Sequence, residues 1–286
     1  TNVGSRTLWI GLIALSMTYM NKNLGLMSLG QLFFAGVTGY TIAILTITHG
    51  VNYAISIPLG VIFGTLAGAL IGWVALKAEG VYYLMLTLAL TLGLYSLANQ
   101  AEVITHGHTG INAVATPRPF GIDFNKPKTF YFTCLIINAL FFLLLKRLER
   151  SSFGLALNGI RDNADRTSAL GYNNTVLKWF AFILSSFIAS ISGIIGLFYY
   201  QAISPDTVGL VRSIDLLVVV VVGGATYLGG AYVGAAAIAV FENLIQDYTQ
   251  YYVGATGLLF ILILMLAPQG LMGIGQQISK RRAVRN

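Results

Sequence analysis

The chain has 286 residues, of which 56% are hydrophobic and only 9% charged, whereas a soluble globular domain carries about a quarter charged residues. That composition excludes an ordinary soluble enzyme or binding domain and makes lipid the main solvent of the chain. The formal charge of +7 gives no reason to expect a nucleic-acid partner, because the Lys and Arg stand between apolar blocks rather than among polar residues.

Apolar runs punctuated by Gly, Pro or charge predict an all-α, polytopic transmembrane helical bundle in a single domain, 1–286, some of its helices discontinuous. Continuous rather than alternating runs point to helices instead of a lipid-facing barrel. About nine crossings follow, over 7–21, 26–48, 54–76, 80–100, 129–145, 178–200, 214–228, 231–247 and 253–270. The first run carries no charged stretch before a short apolar one, so it is not a cleavable signal. It either spans the membrane or skims its surface.

In the second run, Gly25, Ser28, Gly30, Gly36 and Gly39 interrupt an otherwise apolar segment. Repeated Gly permits a broken backbone, which is tolerated at membrane depth only inside protein or along a watery cavity. The third run places Gly60, Gly64, Gly68 and Gly72 every four residues, a flat ridge that lets a neighbouring backbone approach closely. That neighbour is either another subunit or another helix of this chain. After the fourth run, a loop over 102–128 contains His106, His108, Pro117, Arg118 and Pro119. His106-Gly107-His108 would be either a metal pair or an exposed loop; with no nearby Cys and few carboxylates, no metal site is expected. The single Cys134 lies inside an apolar run as a packing residue.

The connection over 147–177 is the longest polar stretch. Leu155, Leu157, Ile160, Ala164 and Leu170 recur among Arg161, Asp162, Asn163, Asp165 and Arg166. With Ser152 as a cap and Gly171 as a stop, one amphipathic helix of roughly four turns is expected, its apolar side against the bundle. It serves either as a docking knob for a partner or as a solvated connection. Farther on, Gly223, Gly224, Gly229, Gly230 and Gly234 predict a second interruption. Glu242 and Asn243 lie within the eighth run; an intramembrane ionisable residue is a functional candidate, although Glu242 could equally be bonded to another helix. Ser28, Gln31, Asn99 and Thr226 are further polar candidates for lining a passage. Asp215 is expected to pair with Arg212 at an interface.

Orientation follows from the positive charges. Placing Lys22, Lys77, Lys146, Arg147, Arg150, Arg161, Arg166, Lys178, Lys280, Arg281, Arg282 and Arg285 inside leaves Arg6, Arg118, Lys126, Lys128 and Arg212 outside. That is 12 against 5 of the 17, a bias of the sign the positive-inside rule requires. The C-terminus is then cytoplasmic and Thr1 outside, which predicts a further helix before Thr1.

The order and spacing of several motifs resemble the permease subunits of branched-chain amino acid ABC importers, of the LivM kind. These are the stretch from Gly25 to Gly36, the one from Gly80 to Leu90, Thr109-Gly-Ile-Asn, Pro117-Arg-Pro and the stretch from Gly154 to Arg166. Ala169-Leu-Gly-Tyr, Ile203-Ser-Pro-Asp, Gly223-Gly and Ala267-Pro-Gln-Gly-Leu complete the series. Gln31 stands where many relatives have His, and Gln269 where many have Arg. The resemblance implies a multi-pass protein of the bacterial inner membrane. It also implies a second homologous permease chain, two cytoplasmic ATP-binding subunits and a periplasmic substrate-binding protein, the last touching the loop over 102–128. It further implies that the region of Leu157, Ile160, Arg161, Asp162, Asn163, Asp165 and Arg166 is the helix seated in the ATPase. Ser28, Gln31, Asn99, Thr226, Glu242 and Asn243 are then candidates for the translocation path.

No Gly-x-x-x-x-Gly-Lys-Ser/Thr occurs, so nucleotide phosphates are not cradled by a P-loop here and the energy must come from a partner. Neither a catalytic residue nor a cofactor is expected, since no His or Cys pairs with a nucleophile at membrane depth. The competing class is an ion-coupled secondary transporter of small polar solutes, which would show paired intramembrane charges and inverted repeats.

Overall fold

Lipid offers no partner to a backbone amide, so each apolar run must satisfy its own hydrogen bonds, and the chain does so as helices. The computed structural model describes residues 2–78, 80–117 and 124–246, together with Gly254, Gly257, Met265 and 270–273. In chain order the helices are α1 (Asn2–Leu24), α2 (Gln31–Ala43, continued by a π-helical turn Ile44–Thr48), α3 (Tyr53–Ala75), α4 (Gly80–Gln100) and the short α5 (Glu102–Thr105). Then come α6 (Pro127–Glu149), α7 (Ser152–Asp162), α8 (Ala164–Ala169), α9 (Asn174–Tyr200), α10 (Leu210–Gly223) and α11 (Leu228–Gln246). Two short strands, β1 (Ile111–Asn112) and β2 (Ala202–Ile203), pair antiparallel with Ile111 opposite Ile203 and fasten the loop after α5 to the end of α9. Gly110 enters that pair at φ +63°, where a Cβ would lie 2.7 Å from Ser204 Cα, so only glycine fits.

Five helices, α2 with its π turn, α3, α4, α6 and α9, are long and apolar enough to cross a membrane among the described residues. The seventh and eighth expected crossings are instead α10 and α11, which meet at 115° across a break of four residues and count together as at most one broken span. The nine-crossing expectation therefore holds only in part. Most of the ninth run, 253–270, lies outside the described residues, as do Arg118 and the basic residues from 280 onward.

At the centre stands α1. Leu12, Ile13, Ala14 and Leu15 are all but fully enclosed, and four consecutive enclosed residues mean that protein surrounds the helix on every side. It packs against α6, α9, α10 and α11. The first run thus lies inside the bundle, although α1 is not among the helices long and apolar enough to cross a membrane. Ser5, Ser16, Thr18 and Asn23 are buried along it, polar residues that a protein environment accommodates and lipid would not. By contrast α3, α4 and α6 turn Phe63, Leu66, Leu70, Met85, Leu97, Ile136 and Leu140 outward.

The Gly60, Gly64, Gly68 and Gly72 ridge is an intramolecular contact. A Cβ on Gly60 would meet Ile42 Cγ1 at 2.6 Å, one on Gly64 would strike Thr38 and Ser190, one on Gly68 would strike Ser186, and one on Gly72 would meet Phe182 at 2.5 Å. The ridge therefore seats α3 in the seam between α2 and α9. Gly93, on the lipid side of α4, has nothing within 4 Å of a Cβ. Overpacking typically costs about 1–3 kcal/mol. Gly68→Val should thus lower the midpoint of thermal unfolding in detergent, while Gly93→Ala leaves it unchanged or slightly raised; equal effects would contradict the seam.

Candidate functional site

At one end of the bundle, the end that receives Lys22, Lys77 and Lys146, the polar connection between α6 and α9 folds as two helices rather than the single one expected. Asn163 causes the break: its backbone is extended (φ −162°, ψ 101°) and its Oδ1 accepts from Arg166 N at 2.9 Å, so it ends α7 and caps α8. The first cap is Ser151, not Ser152; Ser151 Oγ accepts from Gly154 N at 3.4 Å. Gly171, at φ +90°, closes α8 as expected. Leu157 and Ile160 are buried against α1 and its neighbours, whereas Arg161, Asp162, Asn163, Asp165 and Arg166 are exposed. Hydrophobic burial thus holds α7 to the bundle and leaves a charged apex free.

Arg161 points back rather than out. Its Nη1 donates to the carbonyl of Lys22 in the last turn of α1, and its Nε and Nη2 donate to Asp162 Oδ1 at 3.2 and 3.1 Å. Lys22 in turn reaches the Glu149 carboxylate at 2.8 Å, joining the ends of α1 and α6. Gly25, at φ +69°, ends α1, and the chain then runs without helix to Gly30.

This non-helical stretch climbs back into the bundle, as the glycine pattern predicted. Its backbone is satisfied from α4: Leu29 N donates to Thr87 Oγ1 at 3.1 Å, and Thr91 Oγ1 donates to Leu29 O at 2.9 Å. Ser28 Oγ accepts from Gly30 N at 3.2 Å. Where α2 begins, Gln31 joins three helices. Ser16 Oγ donates to Gln31 Oε1 at 3.2 Å, Gln31 Nε2 donates to Ser185 Oγ at 3.0 Å, and Ser185 Oγ donates to Ser16 O at 2.9 Å. All three side chains are fully enclosed.

The second break lies between α10 and α11. Gly224 adopts φ +108°, and Gly223 is so close to α11 that a Cβ would lie 2.9 Å from Gly234 N. Asn21 Nδ2 donates to Ala225 O at 3.0 Å, tying this break to the same last turn of α1. At the opposite end, Arg6 pairs with Glu242, and Arg212 lies 3.9 Å from Asp215. Glu242, Arg212 and Asp215, together with Asp206, border a groove of about 690 Å³ between α4 and α10, with Tyr95 and Leu92 on its far wall; Arg6 meets the first three in a separate cavity of about 50 Å³.

The sequence profile described as the permease component of the branched-chain amino acid transport system matches residues 1–268. The chain belongs to that family. The permease is similar to the high-affinity branched-chain amino acid transport permease LivM of Salmonella typhimurium, 27% identical over 87% of this chain and 64% of that protein. It therefore spans less than two thirds of that relative's length. It is also similar to the probable branched-chain amino acid permease LivH of Methanocaldococcus jannaschii, 28% identical over 94% of this chain and 89% of that one. The ribose import permease RbsC of Haemophilus influenzae is 25% identical over 93% and 83%. No solved structure gives a significant match. The permease is accordingly an all-α membrane protein.

The polar residues expected along a passage do not form one cluster. Ser28 and Gln31 are enclosed in the permease's interior, Thr226 is exposed at the second break, and Asn99 is half-buried at the end that carries the turn at Gly107. Glu242 is buried against Arg6 and Asn243 is exposed beside it. His106 and His108 are exposed, His106 in a left-handed turn at φ 61°. The sequence reading missed the partner of Glu242 and the roles of Ser16, Thr87, Thr91 and Ser185. One signal was available: Tyr83, Thr87 and Thr91 recur every four residues on an otherwise lipid-exposed helix, and all three are buried.

Leaving one member of a buried ion pair alone costs about 3–5 kcal/mol, more than deleting both. Arg6→Ala and Glu242→Ala should each lower thermal stability clearly, and the double variant should lose less than the sum of the two. Additive losses would mean that the pair contributes nothing as a pair.

Proposed function

We propose that the chain is the permease subunit of an ATP-driven importer in the bacterial inner membrane, carrying branched-chain or related amino acids. In this reading it forms the translocation path with a second homologous permease chain, is driven by two cytoplasmic ATP-binding subunits and is supplied by a periplasmic substrate-binding protein. Support comes first from the family. The single structural observation that carries the reading is the corner between α7 and α8, where Leu157 and Ile160 are buried while Asn163, Asp165 and Arg166 are exposed. A motor can grip such an apex without unpacking the bundle. The loop over 102–128, whose described residues 102–117 lie at the other end, is assigned to contact with the binding protein.

ATP-driven closure of the motor would displace α7 and α8, and the bundle would convert the displacement into an opening on one side of the membrane. We place the outward mouth of the path at the groove bordered by Glu242, with Asn243 beside it, Thr226 at its inward end and Asn99 on its flank. Ser28 and Gln31 join it when the break over 25–30 moves. Relatives named for branched-chain amino acids and for ribose share this scaffold, so selection is assigned to the binding protein. A secondary transporter would also carry paired charges within the membrane, and Arg6 with Glu242 is such a pair; the family match is what favours the importer.

Reconstitution with the ATP-binding and binding-protein subunits should give leucine uptake that requires ATP. Asp165→Lys combined with Arg166→Glu should weaken association with the ATP-binding subunits at least about tenfold, roughly 1.4 kcal/mol. Uptake by the chain alone, driven by an ion gradient and indifferent to ATP, would refute the proposal.

A further inference from the structure

The last turn of α1 gathers three connections. A helix leaves its last four carbonyls without intrahelical partners, and its C-terminal end carries partial negative charge. Here the Asn21 carbonyl is taken by Gly25 N at 2.9 Å, and the Lys22 carbonyl is taken by the guanidinium of Arg161, which comes from α7. The stem of the same arginine lies over Gly25, since a Cβ there would sit 3.4 Å from Arg161 Cγ. From Gly25 the non-helical stretch leads straight to Leu29, whose N–H and carbonyl are both held by α4 through Thr87 and Thr91. Meanwhile Asn21 holds the other break at Ala225.

We propose that Arg161 is a positioning residue that ties the docking helix α7 to the C-terminal end of α1, so that a displacement of α7 is delivered to the broken segment 25–30 and through it to α4. This inference rests on the docking role proposed for α7 and α8. It gives Arg161 a task different from that of the exposed residues beside it: Asp165 and Arg166 meet the motor, and Arg161 faces inward to the permease's own backbone. Asp162 supports the task by holding Nε and Nη2, which aims Nη1 at the carbonyl.

The Arg161–Asp162 pair is exposed, with 39% and 69% of the two side chains accessible. Exposed pairs contribute little to stability, so its loss should leave the permease folded. Leu157 and Ile160 still anchor α7 in the variants.

The test uses the reconstituted importer and three readouts: co-purification of the ATP-binding subunits, ATP hydrolysis and ATP-driven uptake. Arg161→Ala should retain association and hydrolysis yet lose uptake per ATP by at least about fivefold, the lower end of ordinary coupling between sites. Arg161→Lys, a cation without the planar fork, should fall between the two, and Asp162→Asn should show a smaller loss of the same kind. If Arg161→Ala releases the ATP-binding subunits, Arg161 is a docking contact and the tether is wrong while the docking role stands. If all three readouts are unchanged, the tether is also wrong. Should Arg161→Ala fail to fold, the lysine and Asp162→Asn variants decide by the same readouts. Absence of ATP-driven uptake in the unmodified complex would instead refute the docking role itself.

Discussion

An amide at membrane depth has to find its partner inside the protein, and residues 25–30 are where this permease meets that constraint without a helix. Each unpaired backbone group in the hydrocarbon costs several kcal/mol, so the stretch can exist only where other side chains answer it. Thr87 and Thr91 do so from α4, and Ser28 does so from within the stretch itself. Much else follows from these few bonds. The α4 helix, with most of its surface turned outward, buries Tyr83, Thr87, Thr91 and Ala98, and two of the four hold the break. Just after the break, Gln31 fixes the start of α2 to α1 and α9. The broken segment and the start of α2 are therefore bonded to three separate helices, α1, α4 and α9.

Much of this was legible in the sequence where the signal was local. Glycine clusters marked both interruptions, because a left-handed turn at Gly25 or Gly224 admits few other residues. The amphipathic pattern placed α7 on the bundle through Leu157 and Ile160, whereas Leu155 and Leu170, expected on the same apolar side, are exposed. The break at Asn163 was not read, although asparagine is a strong cap: apolar periodicity continues through Ala164 and Leu170 and conceals it. Ser151 and Ser152 are adjacent and chemically alike as caps, so only the backbone distinguishes them.

Long-range pairings were hidden for a different reason. Arg6 and Glu242 are separated by almost the whole chain, and nothing in either neighbourhood names the other. The same holds for Gln31 with Ser185 and for Arg161 with Lys22. Hydropathy also misjudged the architecture of the second half. Runs of similar apolarity predict similar crossings, yet α10 and α11 are packed backbone to backbone at Gly223 and Gly234 and diverge at 115°. Composition reports the solvent of a segment, and for these helices much of the solvent is other helices.

A mechanism that alternates between two openings needs some parts stiff and others bistable, because packed interiors shift between discrete arrangements rather than deform smoothly. In this permease the two are separated. The α1 and α9 pair is enclosed and interlocked by Ser16, Gln31, Ser185 and by Ser192, whose hydroxyl donates to Trp9 O at 3.1 Å. The two helix breaks, 25–30 and 224–227, both hang from the last turn of α1, through Gly25 and Asn21. At the far end Arg6 on α1 clamps Glu242 near the end of α11. One helix thus carries both breaks at one end and an ion pair at the other. In the proposed importer a force applied near Lys22 would act on both breaks at once, while the Arg6–Glu242 pair would hold α11 at the opposite face. Under the importer reading proposed above, opening at one end and holding at the other is the asymmetry that a one-way passage requires.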